Sequence, residues 1–379
     1  MFDYLTLKII WWCFVAVLLI GFALTDGFDF GVGILLPFVG KNDTERRIIL
    51  NSIGPTWEGN QTWLIAAAGA LFAAWPLAYA AAFSGFYVIF MLLLFSLFFR
   101  PVGFDYRSKI ADPRWRSTWD YLLFVGGFMP PLIFGIAFGN LLQGVPFRID
   151  GDMRLEYLGS FSDLLNPFGL LAGLLCVAML TMHGAAFLRT KTDGIIAQRA
   201  AKALLFAAGL TAICFAIGGY WIAYGIDGYQ IVSMPDANSA FMPNAKTVTK
   251  VRGAWLVNFV EHPLLWCWPS MGFIGALLAA LSTQMRKTLA AFFATGLTII
   301  GVLLTAGTSM FPFIMPSSLA PNSSLTAWDV VASHQSLGIM FWVVVIFLPL
   351  IIFYTAWIYR VMKGKVDAAH ILANEHSAY

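Results

Sequence analysis

The chain has 379 residues, of which 59% are hydrophobic and only 11% are charged, and its formal net charge is +3. A soluble globular domain carries about a quarter charged residues, so this composition excludes an ordinary water-soluble enzyme. The few basic residues are scattered over loop positions and form no run of the kind that binds nucleic acid. We therefore predict an all-α integral membrane protein without a nucleic-acid partner.

Apolar stretches long enough to cross a bilayer recur along the whole chain. A helix needs about 20 apolar residues to cross the hydrocarbon core, and a sliding window predicts about nine such spans. Their limits are residues 9–38, 57–76, 79–100, 118–142, 164–188, 203–225, 262–283, 288–311 and 337–361. Since no soluble segment of domain size separates them, we expect residues 1–379 to form one membrane domain.

The first span is predicted to be retained, because the N-terminus lacks the basic segment and the small-residue cleavage site of a signal peptide. At residues 9–38 it is longer than a bilayer requires. It must therefore tilt, or bend near Gly31 and Gly33 before Pro37.

Basic residues beside the spans predict the orientation, because Lys and Arg are retained on the cytoplasmic side. They concentrate in the odd-numbered loops and the tail: Lys41, Arg46, Arg47, Arg107, Lys109, Arg114, Arg116, Arg189, Lys191, Arg199, Lys202, Arg286, Lys287, Arg360, Lys363 and Lys365. We expect a periplasmic N-terminus and a cytoplasmic C-terminus. The sixth loop, residues 226–261, departs from this pattern because it also holds Lys246, Lys250 and Arg252.

Ionisable groups inside spans are costly and are candidates for function. Asp26 and Asp29 lie three residues apart, which places both carboxylates on one face of the first span. Glu58 opens the second span from the same side of the membrane, and Arg100 ends the third there. We expect the three carboxylates to cluster at one depth, with Arg100 within reach of Asp29 and with Asp120 as another candidate partner.

Two interpretations of these groups remain open. Asp29 either pairs with Arg100 to fix two helices, as intramembrane charges usually do, or takes part in proton movement. Glu58 either caps a helix, where the helix dipole favours a negative charge, or conducts protons. We favour proton conduction for Glu58, since Asn60 and Gln61 continue a polar strip that can hold water.

The sequence predicts no metal or haem site in this chain. Of the five histidines, only His183 lies inside a span, and one histidine without an opposing ligand is more often a packing residue than a haem ligand. His262 and His334 lie at span ends, and His370 and His376 lie in the tail. The four cysteines are predicted to be small core residues: Cys13, Cys176, Cys214 and Cys267.

Tryptophans near span ends are typical of residues at the membrane interface. Trp63 differs because it lies inside the second span, one turn beyond Glu58 on the polar strip. Core packing is the interpretation favoured for it, and a role at a functional channel is the alternative.

Several long segments resemble subunit II of cytochrome bd ubiquinol oxidase. They are residues 25–29 (TDGFD), 42–47 (NDTERR), 57–64 (WEGNQTWL), 70–76 (ALFAAWP), 98–107 (FFRPVGFDYR), 138–146 (FGNLLQGVP), 166–171 (NPFGLL), 310–318 (MFPFIMPSS) and 323–326 (SSLT). The resemblance extends from one end of the chain to the other.

The resemblance implies a nine-span subunit that pairs with a larger, pseudo-symmetric subunit I in the bacterial inner membrane. Subunit I is expected to hold two b-type haems, haem d and the ubiquinol-oxidising loop, so no catalytic residue is expected in this chain. The complex would oxidise quinol outside, take protons from the cytoplasm and reduce dioxygen to water, generating a membrane potential. A structural quinone and a small single-span accessory subunit are further expectations.

The resemblance also suggests roles for individual residues. Glu58 matches a position on a proton path toward haem d, where many members have Asp. Asp26 and Asp29 are added to that path from the residue pattern, as carboxylates that reach inward from the cytoplasmic side. Trp63 matches a residue of an oxygen-access channel. Asp29, Arg100 and Trp57 match a region that forms an ion pair or binds a structural quinone.

Two alternatives belong to other classes of protein. A secondary transporter would place its coupling carboxylates near the midplane between broken helices in matched halves, whereas these carboxylates lie near one face. A purely structural assembly subunit would have the same fold but would not require Glu58 or Trp63 for activity.

Overall fold

The structure, a computed structural model, describes residues 2–367 and residue 371. Twelve α-helices lie in this part of the chain: α1 Tyr4–Val39, α2 Asp43–Ile53, α3 Trp57–Ala74, α4 Pro76–Gly85, α5 Tyr87–Tyr106, α6 Pro113–Gln143, α7 Pro167–Lys191, α8 Gly194–Tyr224, α9 Val257–Glu261, α10 Cys267–Gln284, α11 Thr288–Met310 and α12 His334–Val361. His370 and His376 lie outside the described residues.

Three antiparallel two-stranded hairpins lie in connections between the helices. β1 (Phe147–Ile149) pairs with β2 (Leu155–Tyr157), β3 (Asp227–Ser233) with β4 (Thr247–Arg252), and β5 (Phe313–Met315) with β6 (Leu325–Thr326). The window for membrane spans does not detect such short strands.

Eight of the helices are long and apolar enough to cross a membrane, and α3 with α4 makes a ninth if the bent pair counts as one span. This agrees with the predicted all-α membrane fold and with about nine spans. The predicted span limits at residues 79–100 are wrong. The chain bends by 119° between α3 and α4, and the next full span is α5, Tyr87–Tyr106.

Pro76 explains the break. Proline lacks the N–H that a continuing helix would need and disfavours helical geometry in the residue before it. Trp75 accordingly has φ −131° and ψ 69°, and Pro76 begins α4 as its first residue. The hydropathy window placed a span boundary beside this bend, at residues 76–79, but counted most of the apolar α4 as the start of the third span.

Helix α1 is continuous over 36 residues and includes Pro37. At about 1.5 Å per residue it is roughly 54 Å long, more than the 30 Å core of a bilayer, and the helix is not interrupted near Gly31. Gly31 instead lies directly against Gly184 of α7, where a Cβ atom would collide with backbone. The two glycines allow α1 and α7 to pack closely at the centre of the bundle.

The three hairpins lie at the end of the bundle where α1 begins. The Tyr4 hydroxyl donates to Ala332 O at 2.8 Å, and the buried Lys8 ammonium donates to Ala237 O, Ser239 O and Trp328 O at 2.7, 3.0 and 2.7 Å. We call this end the hairpin face. The opposite end, with α2, the α5–α6 turn (residues 107–112) and the end of α12, is called the tail face.

The two lysines of the sixth loop have partners on the hairpin face. Lys246 forms a fully buried ion pair with Asp329 at 2.5 Å, and Lys250 donates to Ser318 O at 2.7 Å. Burial lowers the pKa of Lys246 and raises that of Asp329, and in each case the charge of the other opposes the shift. These lysines therefore join loops of the hairpin face, which explains their departure from the charge pattern.

The cysteines do not share one environment. Cys214 is buried and Cys176 is half-buried, but Cys13 and Cys267 are exposed on the surface of the chain. The prediction of core positions was wrong for these two. An apolar surface facing lipid or another subunit has the same composition as a core, so hydropathy does not separate the two environments.

Candidate functional site

A buried ion pair joins α1 to α5 near the tail face. Arg100 donates to both carboxylate oxygens of Asp26, at 2.5 and 3.0 Å, and the two side chains are 5% and 0% exposed. The Arg100 guanidinium also lies 4.4 Å from the Phe30 ring centroid and 5.5 Å from that of Trp57. Two-pronged pairing with aromatic cover is the geometry in which guanidinium groups are stable away from water.

Asp29 does not have the expected partner. It accepts a hydrogen bond from Asn60 Nδ2 of α3 at 2.7 Å, and Asn60 in turn accepts one from the Tyr359 hydroxyl of α12 at 2.5 Å. The predicted Asp29–Arg100 ion pair is therefore wrong, because both hydrogen bonds that the structure gives for the Arg100 guanidinium go to Asp26. Among the described residues, Asp29 Oδ1 is buried without a partner.

The result is a polar cluster of five side chains from four helices, which we call the carboxylate cluster: Asp26, Asp29, Asn60, Arg100 and Tyr359. Its first four members are buried. One guanidinium balances the charge of one carboxylate, so a second ionised carboxylate has no counter-charge in the cluster. A cluster of this kind can bind and release a proton with little movement of heavy atoms.

Glu58 lies outside this cluster. It stands in the first turn of α3, as expected, but its side chain is exposed, whereas Asn60 on the same turn is buried. The expectation of three clustered carboxylates therefore holds for Asp26 and Asp29 only. Two residues along a helix turn the side chain by about 200°, so Glu58 and Asn60 face opposite ways.

Trp63 packs against α1 and does not continue a polar strip with Glu58. It is 7% exposed, and a side chain at position 21, where α1 has glycine, would collide with its ring. Trp57 is also buried and stacks on Phe104 with ring centroids 5.1 Å apart. The indole N–H groups of Trp57 and Trp63 are buried without a partner among the described residues.

In the part of the chain that the structure describes, Asp120 pairs with no member of the carboxylate cluster, Arg100 included. It accepts from Arg46 at 2.7 Å and from Arg107 at 2.6 Å. These contacts belong to a separate ionic group at the tail face. The suggestion that Asp120 is a partner of Arg100 was wrong, since the start of α6 lies nearer to the α5–α6 turn than to the buried part of α5.

Comparison with known proteins identifies the chain. Residues 7–362 match the family of cytochrome bd terminal oxidase subunit II. The chain belongs to this family.

Its relatives support the same assignment over the full length. The chain is 54% identical to cytochrome bd-I ubiquinol oxidase subunit 2 of Escherichia coli K12, over 100% of both chains. It is 48% identical to a probable cytochrome oxidase subunit 2 of Haemophilus influenzae, again over 100% of both, and 32% identical to cytochrome bd ubiquinol oxidase subunit 2 of Bacillus subtilis, over 94% of this chain and 96% of that one.

A solved structure has the same fold. The bd oxidase of Geobacillus thermodenitrificans superposes with a TM-score of 0.69 at 16% identity, over 94% of this chain and 99% of the matched chain. The chain is thus a multi-pass membrane subunit of a cytochrome bd quinol:oxygen oxidoreductase. Family membership confirms the resemblance drawn from the sequence and removes the secondary transporter as an alternative.

A subunit II of this family works in a complex that contains haem, but His183 does not fit an axial haem ligand. Its Nδ1 lies 2.8 Å from Thr295 Oγ1 and its Nε2 lies 3.0 Å from Leu24 O, and the ring stacks on Phe292. Both ring nitrogens are therefore engaged. Within residues 2–367, no group of three His, Cys, Asp or Glu side chains is arranged to hold a metal ion.

Two residues of the site were missed by sequence reasoning. Tyr359 lies inside the last apolar span, and one hydroxyl in such a span does not stand out. Asn60 was noticed only as part of a strip with Glu58. The available signal was the helical spacing of α3, which turns Asn60 and Glu58 to different sides.

Proposed function

We propose that the chain is the haem-free second subunit of a ubiquinol oxidase in the bacterial inner membrane. Its partner, subunit I, would carry two b-type haems and haem d, oxidise ubiquinol and reduce dioxygen to water, generating a membrane potential. The ubiquinol oxidase names of the relatives from Escherichia coli and Bacillus subtilis support this substrate.

The chain would also supply contact surface for its partners. Support comes from α12. Only 11% of the residues in its most apolar stretch are buried within the chain. Residues such as Trp342, Phe353 and Trp357 are 61%, 72% and 57% exposed. Subunit I, a small single-span accessory subunit or lipid would cover this helix.

The observation that carries the proton-path proposal is the carboxylate cluster itself. Burying ionisable groups at membrane depth is costly, and here a lone Arg100 faces the two carboxylates of Asp26 and Asp29. A fold that needed only a helix-to-helix link would be served by Asp26 and Arg100. The second carboxylate, with one oxygen unpartnered among the described residues, is what a proton relay requires.

Glu58 would carry protons between the cluster and subunit I. It is exposed on α3, within two residues of Asn60, which binds Asp29. The first turn of α3 therefore presents one group to the buried cluster and a carboxylate to the outer surface of the chain. In the complex this surface would face subunit I.

Trp63 and Trp57 are proposed to serve the two other expected functions. Trp63 packs in an apolar cluster with Leu18 and Phe22, and an apolar environment suits the passage of dioxygen. The Trp57 indole N–H is unpartnered among the described residues and lies beside Arg100, so it would donate a hydrogen bond to a carbonyl oxygen of a structural quinone.

Conservative substitutions test the proton path in the assembled complex. Glu58→Gln and Asp29→Asn keep size and polarity but cannot carry a proton, and loss of a proton-transfer group slows turnover on the order of a hundredfold. Oxygen uptake with ubiquinol, normalised to haem content, is the measurement. Glu261→Gln on the hairpin face, where Glu261 is also exposed, is the matched control.

Full turnover in both variants at normal haem content would refute the proton path. The chain would then be an assembly subunit, and its loss would lower haem incorporation without changing the rate per haem. A rate that falls together with haem content would also indicate assembly.

A further inference from the structure

A second polar site lies on the tail face, apart from the carboxylate cluster. It is a cavity of about 230 Å³ between the start of α2, the α5–α6 turn and the start of α6. Four basic and two acidic side chains line it: Lys41, Arg46, Arg107, Arg116, Asp43 and Asp120. We call it the basic pocket.

The acidic residues of the basic pocket are each held by two guanidinium groups. Asp120 accepts from Arg46 and Arg107 at 2.7 and 2.6 Å, and Asp43 accepts from Arg107 and Arg116 at 2.9 and 2.7 Å. Four cations and two anions leave a net charge of +2. The two carboxylates thus orient the guanidinium groups without neutralising them.

Arg107 has the central position in this arrangement. Its side chain is 1% exposed, it bonds both carboxylates, and its Nη1 has no partner among the described residues. A buried guanidinium with an unused donor is rare and costly. Its charge adds to the attraction that the more accessible Arg46, Arg116 and Lys41 exert on an anion at the pocket mouth.

The depth of the basic pocket indicates which anion it meets. Its walls are the residues just beyond the ends of α1 and α5 and just inside the start of α6, and segments at the ends of membrane spans are expected beside the lipid headgroups. We propose that the basic pocket binds a phosphate group, carried by an anionic phospholipid of the leaflet at the tail face. The volume, several times the roughly 30 Å³ of a water molecule, admits a phosphate with part of its glycerol.

The test uses the complete oxidase complex in detergent, titrated with phosphatidylglycerol or with phosphatidylcholine and followed by native mass spectrometry. The pocket variant is Lys41→Gln with Arg116→Gln. The control is Lys202→Gln with Lys287→Gln, which removes the same charge from exposed positions of the tail face. A third arm adds inorganic phosphate alone, and the haem spectrum reports assembly of each variant.

The pocket variant is expected to weaken retention of one phosphatidylglycerol by on the order of tenfold or more, with little change in the control. Binding of inorganic phosphate with the same dependence on the variant, but no preference for phosphatidylglycerol, would support the phosphate site and make its source the free ion. Equal losses in both variants, or equal retention of the two lipids without variant-dependent binding of inorganic phosphate, would overturn the proposal. If the double variant fails to assemble, Lys41→Gln alone is compared with Lys202→Gln on the same criteria.

Discussion

At the scale of the residue, the arrangement of the carboxylate cluster depends on which carboxylate binds Arg100. Asp26 and Asp29 lie on the same face of α1, and helical spacing alone allows either to pair with a guanidinium from α5. The structure gives Arg100 to Asp26 and leaves Asp29 to Asn60. The sequence could predict that Asp26, Asp29 and Arg100 come close together, but their pairing depends on side-chain directions, and these are set by packing among four helices.

Arg100→Leu is expected to destabilise the complex strongly, because it leaves Asp26 buried beside Asp29 with no counter-charge. Breaking one side of a buried ion pair costs about 3–5 kcal/mol, whereas replacing both partners by apolar residues often costs little. Arg100→Leu with Asp26→Leu should therefore recover most of the loss in the thermal midpoint of the purified complex. Arg114→Leu, at an exposed position, is the control, and a double variant no more stable than Arg100→Leu would contradict the ion pair.

At the scale of the element, α1 holds the hairpin face together through one buried cation. The Lys8 ammonium donates to backbone carbonyls in two separate connections, at Ala237, Ser239 and Trp328, and lies 4.1 Å from the Tyr4 ring centroid. The predicted first span began at residue 9 and so excluded Lys8. A hydropathy window ends a predicted span at a charged residue, even where the helix continues and its residues remain buried.

Lys8→Met is expected to loosen the loop that carries Ala237 and Ser239, because charged hydrogen bonds of about 1.5–3 kcal/mol are lost and the carbonyls become unpaired. The measurement is the rate of thermolysin cleavage before Phe241 or Met242 in the folded complex. Cleavage should accelerate in Lys8→Met but not in Lys202→Met, which alters an exposed lysine of α8. Equal cleavage rates in the wild type and Lys8→Met would mean that other contacts hold this loop.

The elements also show where sequence prediction stops. The long, uniformly apolar helices were predicted because length and composition define a span. The break beside Trp75 was close to a predicted span boundary, but the start of the third span was wrong because α4 is apolar and was counted as part of it. The hairpins were missed because strands of two to seven residues leave little pattern, and contacts between the loops that carry them, such as Lys246 with Asp329, join residues far apart in the sequence.

At the scale of the whole molecule, the two faces differ in kind. The hairpin face has three β-hairpins and pairs its lysines with carboxylates and carbonyls. The tail face collects basic residues in short connections beside the spans, including those of the basic pocket. Since basic residues near span ends are retained in the cytoplasm, we predict that the hairpin face and the N-terminus are periplasmic.

Labelling of introduced cysteines tests this orientation in intact cells that express the complete complex, with the four native cysteines replaced by serine or alanine. A membrane-impermeant maleimide should label Asp152→Cys and Met242→Cys, at exposed positions of the hairpin face, without permeabilisation. Lys202→Cys and Lys363→Cys, exposed at the tail face, should react only after it, and the reverse pattern would overturn the orientation. The carboxylate cluster and Glu58 lie toward the tail face on their helices, so the expected pattern would also put them on the cytoplasmic side, where the proposed proton path begins.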